Sequence, residues 1–249
     1  MSDAIERLGA LVELDPDPER PEQLGFAIEQ YAILTDGRRV VLDLGRGWVQ
    51  SLHAAGWTGP PLDPWTFQTT TALLDAARDH LLPDDDEDPA PLPWDALARS
   101  LAEHGIAVGA EELQAVPHDI LLSDAIHARL ARTFAGWGAD VAVEEDGDAL
   151  RFNAEAYARL GDGRRLALDR RRFDVELSSG DRARGAWPLV GTAEDLRGEV
   201  RALWWRRGAP AAWFVGRLGE HGVEVAPTTL ALAEFVVSFS APLAARLAD

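Results

Sequence analysis

YAILTDGRRVVLD (residues 31–43) and YARLGDGRRLALD (residues 157–169) agree at nine of thirteen positions. In each, an Asp-Gly pair (Asp36-Gly37, Asp162-Gly163) stands between two short apolar segments. A two-residue type I′ turn needs a left-handed backbone at both central residues, and Asp-Gly provides it at low cost. Both stretches therefore read as β-hairpins. Alternation assigns the faces. Ala32 and Leu34 share one side of the first strand, and Val40 and Leu42 meet them across the turn. Ala158, Leu160, Leu166 and Leu168 repeat the arrangement. These eight are the expected core.

The resemblance extends beyond the hairpin. LAEHGIAV (101–108) returns as LGEHGVEV (218–225), five of eight positions being identical. SDAI stands at 2–5 and again at 123–126, with a weaker echo, SAPL, at 240–243. Between these markers lie amphipathic stripes of helical period: Leu73, Leu74, Ala77 and Leu81 in the first copy, and Leu196, Val200, Leu203 and Trp204 in the second. Trp94, Leu97 and Leu101 lead to the first His-Gly, and Trp213, Phe214 and Leu218 to the second.

The expected architecture is α+β with an internal duplication. Two tandem units, 1–122 and 123–249, each carry an antiparallel sheet packed by several helices and are related by a pseudo-two-fold. Each is large enough for its own core. The SDAI segments read as helix starts, and Ile126, Leu130 and Phe134, spaced by four, extend the seam helix. In copy two, DVAVEEDGDALRF (140–152) adds a second Asp-Gly hairpin and RRFDVEL (171–177) a further strand. Copy one has the Pro-broken DPDPERPEQ (15–23) in that place, which predicts the smaller sheet there.

Composition removes several chemistries. The 249-residue chain has no Cys, so it has no disulfide, no thiol nucleophile and no cysteine metal site, which fits a reducing compartment. All 24 basic residues are Arg, leaving no Schiff-base or phosphate-loop lysine. The start, MSDAIERLGALVEL, lacks the pattern of a secretory signal. The most apolar long run, 230–248, is interrupted by Glu234, Pro242 and Arg246, so no membrane span is expected. The expected location is cytoplasmic.

Net charge is −18 and lopsided. Residues 1–122 carry 23 acidic and 7 basic side chains, a net of −16; residues 123–249 carry 19 and 17, a net of −2. Such a field repels nucleic acid and anionic membranes and attracts a basic partner, though it also serves solubility. The densest run is PDDDEDPAP (83–91), containing Asp84, Asp85, Asp86, Glu87 and Asp88. It lacks the spaced ligands and turn glycine of a calcium loop. It reads either as a solvated linker or as a docking element for a basic protein.

In copy two, Arg164, Arg165, Arg170, Arg171, Arg172, Arg182 and Arg184 surround one hairpin region. Arg164, Arg165, Arg170 and Arg172 are candidates for an anion site; the alternative is that they decorate an exposed sheet face. None of the six His falls in HxH, HxxxH or HExxH spacing, so no metal site is expected. His104 and His221 precede a helix-stopping Gly and read as C-terminal caps rather than catalytic bases. There is no GxSxG, GxGxxG or phosphate-loop motif. No catalytic residue and no cofactor is assigned.

The Trp residues remain. GWTGPPLDPW (56–65) places Trp57 and Trp65 in a Pro/Gly-rich loop, where they either anchor a partner or pin the loop by their own burial. Together these features predict a non-enzymatic, acidic protein-binding module, in the manner of an immunity protein or antitoxin, with a basic protein as partner. Asp84–Asp88, Trp57 and Trp65 would carry the binding. Two other readings stand beside it: an enzyme or small-ligand binder with a cleft at the seam, and a structural subunit of a larger assembly.

Overall fold

Both Asp-Gly stretches turn a hairpin, by a longer loop than the two-residue turn expected. The Gly37 N–H donates to the Leu34 carbonyl (2.8 Å) and the Leu34 N–H to the Arg38 carbonyl (2.9 Å). Only the glycines are left-handed, with φ +83° at Gly37 and +86° at Gly163. This is a type I turn closed by a glycine bulge. Asp36 therefore needs no left-handed backbone. Its carboxylate instead accepts from the Arg38 N–H (2.9 Å) and from Arg38 Nε (2.6 Å). Those bonds hold the carboxyl below its ordinary value of 3.8. Asp162 and Arg164 repeat both contacts, at 3.0 and 2.5 Å.

The computed structural model describes residues 4–17, 19–20, 22–51, 63–81, 93–146, 149–176, 192–205 and 210–247. It is mixed α and β, with two four-stranded sheets and eight helices among the described residues. The chain divides into two units, Met1–Ala131 and Arg132–Asp249. No helix among the described residues is long and apolar enough to cross a membrane.

Unit 1 runs β1 (Ile5–Leu14), β2 (Gln23–Leu34), β3 (Arg39–Ser51), α1 (Thr70–Leu81), α2 (Pro93–Glu103), α3 (Ala110–Gln114), β4 (His118–Leu122) and α4 (Asp124–Leu130). Its sheet order is β3-β2-β1-β4. The first three strands are antiparallel, and β4 returns to lie parallel to β1. Unit 2 runs β5 (Phe134–Asp146), β6 (Ala149–Leu160), β7 (Arg165–Glu176), α5 (Ala193–Trp205), α6 (Pro210–Glu220), α7 (Pro227–Leu232), β8 (Phe235–Phe239) and α8 (Ala241–Leu247). Its order is β7-β6-β5-β8, with β8 parallel to β5.

Three expectations are corrected. The first SDAI opens no helix, because Ile5 already begins β1. IERLGALVEL fits both periods, and pairing with β2 selects the strand: Leu8, Ala10 and Val12 turn inward, while Tyr31 covers Gly9. Helix α4 stops at Leu130, and Phe134 begins β5 instead of extending it. Among the described residues, the sheet of unit 2 is not the larger one. Pro-broken 15–23 connects β1 to β2, just as the second Asp-Gly segment connects β5 to β6, so each sheet has four strands among the described residues. Pro16 there costs nothing, since a connection needs no ladder donors.

The expected core positions are buried at Ala32, Leu34, Leu42, Ala158, Leu160 and Leu168, with Val40 and Leu166 partly exposed. The helical stripes bury Leu73, Ala77 and Leu81 on α1, and Leu196, Val200 and Trp204 on α5. Both His-Gly ends are Schellman caps. Ile106 N–H reaches the Leu101 carbonyl and Gly105 N–H that of Ala102, with Gly105 at φ +79°; Val223, Leu218, Gly222 and Gly219 repeat the pattern. His104 Nδ1 donates to the Ser100 carbonyl at 2.9 Å, an i−4 cap on the same helix. An arginine from the third strand of each unit also grips a helix end. Arg46 Nη1 donates to the carbonyls of His80 (3.2 Å) and Leu81 (3.3 Å), and Arg171 Nη1 donates to that of Leu203 (2.5 Å).

Candidate functional site

The inward row of β2 reads Phe26, Ile28, Gln30, Ala32, Leu34. One polar residue interrupts four apolar ones. It falls where the core of unit 1 divides. On one side Phe26, Ile28, Trp48 and Trp65 pack with α1 and α4; on the other Ala32, Leu34 and Leu42 pack with α2. Gln30 is 7% exposed, and its Oε1 has no hydrogen-bond partner among the described residues. A buried, unpaired carbonyl oxygen costs about 1–3 kcal/mol.

A cavity of about 140 Å³ opens at this point. Ala10 and Gln30 contribute from the sheet, Leu74 and Leu81 from α1, and Trp94 and Leu97 from α2. His118, the first residue of β4, closes one side; it sits beside Leu8 in the parallel pair, with its ring edge-on to Trp94 at 5.0 Å. His118 Nε2 donates to the Leu113 carbonyl at 3.3 Å. Although His118 as a residue is exposed, its ring is half-covered, and that partial desolvation pushes its pKa below 6.5, outweighing the Leu113 bond and the charge of Asp119. The ring is then neutral at pH 7 and its Nδ1 is an acceptor. The charged lining groups are already paired, Arg78 with Asp75 (2.9 Å) and Asp119 with Arg7 (3.2 Å). The cavity thus offers apolar walls and hydrogen-bond acceptors.

Unit 2 carries larger aromatic side chains at the same place. Ala156 precedes Tyr157 as Gln30 precedes Tyr31. Trp137 pairs with Ala158 as Leu8 pairs with Ala32, and Phe235 lies beside Trp137 as His118 lies beside Leu8. The Trp137 ring meets Phe214 at 4.8 Å and Phe235 at 5.2 Å, both edge-on, and its indole N–H donates to the Ala233 carbonyl at 3.0 Å. The same place is lined with aromatic rings in one unit, and in the other it holds a cavity with acceptors.

The residues singled out from sequence are distributed differently. Asp84, Asp85, Asp86, Glu87, Asp88 and Trp57 lie outside the described residues, as do Arg182 and Arg184. Trp65 is 8% exposed and belongs to the core of unit 1, edge-on to Phe26 at 6.2 Å. Asp63 and Arg129 brace it. Asp63 Oδ1 accepts from the Trp65 N–H (3.0 Å), Arg129 pairs with Asp63 (2.9 Å), and the guanidinium stands 5.8 Å from the ring centroid.

Most of the candidate anion-binding arginines face carboxylates of their own unit. Arg164 pairs with Asp162 (2.5 Å), Arg165 with Asp140 (2.5 Å) and Arg170 with Glu155 (2.7 Å). Arg165 also lies over Tyr157 at 4.2 Å, as Arg39 lies over Tyr31 at 4.0 Å. Arg172 and Arg170 border a groove of about 500 Å³ that also holds Asp140, Glu144 and Glu155. A groove of both signs has no bias toward anions. Arg171 is held differently, by Asp169 (2.8 Å), which also accepts from Trp204 Nε1 (3.0 Å). Burial raises the Asp169 pKa, and the bonds from Arg171 and Trp204 overcome it, so the net shift is downward. No group of three or more His, Asp or Glu among the described residues is placed to hold a metal ion.

No protein-family model and no curated protein matches the chain. Two Aquifex aeolicus crystal structures of the Ppx/GppA family are similar at 12% identity. One aligns over 77% of this chain and 59% of its own, with a TM-score of 0.12; the other over 86% and 64%, with 0.14. The chain thus spans about three fifths of their length. A foamy virus protease–reverse transcriptase aligns at 11% identity over 94% of this chain and 36% of its own, with a TM-score of 0.16. At such TM-scores the likeness supports no reading of fold or function.

Proposed function

We propose that this chain is a non-enzymatic, acidic protein-binding module that covers a basic protein, in the manner of an immunity protein or antitoxin. Unit 1 is the covering unit and unit 2 its scaffold. The observation that carries this is the charge asymmetry. Asp124 and Arg129 cancel, so unit 1 keeps the net −16 of residues 1–122. Arg164, Arg165, Arg170 and Arg171 of unit 2 are meanwhile engaged with carboxylates of the same unit. The external field is therefore that of unit 1, and a field of one sign steers a partner of the other. The same reading puts the chain in the cytoplasm.

The two units descend, on this reading, from one ancestral α+β unit by duplication. Support comes from the common strand order, the repeated Tyr–Arg stacking, the two Schellman caps and the arginine at each helix end.

The test is affinity capture with the full chain, washed at low and high salt, beside a variant with Asp84–Asp88 changed to Asn and Gln. The reading expects a basic protein that is released by salt, and that binds the variant more weakly and with a shallower salt dependence. Equal affinity and equal salt dependence would remove this segment from the interface. Retention of no basic protein by the wild type would leave the charge serving solubility alone.

A further inference from the structure

The cavity in unit 1 has two features of a small-molecule site: apolar side chains along its walls and a polar group with no partner among the described residues. A cavity of this volume accommodates a benzene-sized molecule. Gln30 is more than nine-tenths buried and its Oε1 has no other partner among the described residues. The cavity's lining is not a necessity of the fold, since Trp137, Phe214 and Phe235 place aromatic rings at the corresponding positions of unit 2. Nor is the polarity, since Ala156 stands where Gln30 does and is fully buried. Both acceptors lie on the cavity side of the sheet, separated by β1: Gln30 pairs with Ala10 and His118 with Leu8. An occupant must therefore donate hydrogen bonds and be otherwise apolar.

We propose that unit 1 binds a small, neutral, ring-bearing molecule whose O–H or N–H donates to Gln30 Oε1, with the ring held between Leu74 and Leu81 of α1 and Trp94 and Leu97 of α2. His118 Nδ1 serves as a second acceptor for a ligand with two donors. The charged groups near the cavity add no net pull for an ion, because Arg78 and Asp119 are each neutralised by a neighbour. The site rests on residues other than those of the protein-binding reading.

The test uses phenol and toluene, rings of nearly equal size of which only phenol carries a donor. Both are titrated calorimetrically into the full-length chain. Phenol should bind saturably at one site and about tenfold more tightly than toluene, the worth of one hydrogen bond to a buried acceptor. Gln30→Leu keeps the side-chain bulk and removes the acceptor, so it should erase the preference for phenol. Leu8→Trp gives unit 1 the bulkier residue that stands at this position in unit 2 and should abolish binding of both. A cooperative thermal unfolding transition in each variant establishes that it is folded. No saturable phenol binding, an equal preference in wild type and Gln30→Leu, or undiminished binding in folded Leu8→Trp would each overturn the proposal.

Discussion

Gly138 of β5 faces the main-chain carbonyl of Val236 on β8 so closely that a Cβ on the glycine would stand 2.2 Å from the oxygen. The obstacle is backbone, and the Tyr157 hydroxyl closes the same space at 2.9 Å. Relief requires β8 to move away from β5. Gly138→Ala should therefore destabilise unit 2 by about 1–3 kcal/mol or more. Denaturant unfolding measures it, and a change below about 0.5 kcal/mol would mean that β8 is not held against β5 as described.

Gly198 on α5 is the opposite case, a helical glycine with nothing within 4 Å of the point where a Cβ would stand. Gly198→Ala should stabilise by about 0.5–1 kcal/mol through helix propensity alone. An increase in Tm with unchanged circular dichroism is the expected readout.

Arg171 and Arg170 are neighbours with different weight. Arg171 is partly buried and joins Asp169 to the end of α5; Arg170 pairs with Glu155 while 74% exposed. Arg171→Met should cost about 1–3 kcal/mol by stranding Asp169 and the Leu203 carbonyl. Arg170→Met should change stability by no more than about 0.5 kcal/mol. Equal effects in a chemical denaturation series would contradict this ranking.

His118 gives unit 1 a specific acid sensitivity. Its folded pKa lies below the ordinary 6.5, so the unfolded chain takes up this proton first. Stability is unaffected above pH 6.5 and falls as pH drops from there toward the folded value. Besides its own β4 neighbour Asp119, the ring faces Trp94 of α2 and the Leu113 carbonyl of α3. His118→Phe, the residue found in unit 2, should flatten Tm against pH in that window. An unchanged slope would assign the sensitivity elsewhere.

Gln30→Leu should raise the stability of the ligand-free chain by about 1 kcal/mol, because it removes an unpaired buried acceptor and fills the same volume. The gain should disappear when phenol is present, since only the wild type then satisfies Oε1. Thermal melts with and without phenol measure both.

The hairpins and the helix stripes are legible in the sequence because each rests on neighbours along the chain. Asp36-Gly37 needs only its own turn, and Leu73, Ala77 and Leu81 only the helical period. The strands β4 and β8 are not legible. HDILL and FVVSF are five residues each, and only their distant parallel partners make them strands. The first strand misleads for a related reason, since Leu8 and Val12 satisfy helical spacing as well as they satisfy alternation with Ala10. The cavity does leave a trace in the sequence. Gln30 breaks the inward row of β2, and the residue before the repeated Tyr is Gln in one copy and Ala in the other. The space beside it, however, is made by α1, α2 and β4 together, and no local pattern encodes that meeting.

The parallel return strand also sets a schedule for synthesis. Arg7 of β1 bonds Asp119 of β4 across 112 residues of chain. At about 5–20 residues per second, translation leaves the outer edge of β1 without its neighbour for roughly 5 to 20 seconds. During that interval the nascent sheet presents unpaired backbone to whatever lies near the ribosome, and β8 repeats the delay for unit 2. Each unit is thus latched by almost the last strand it makes. A ribosome that stalls before residue 118 releases a sheet with an open edge, so the speed of elongation, and not only the sequence, governs how much of this chain escapes aggregation.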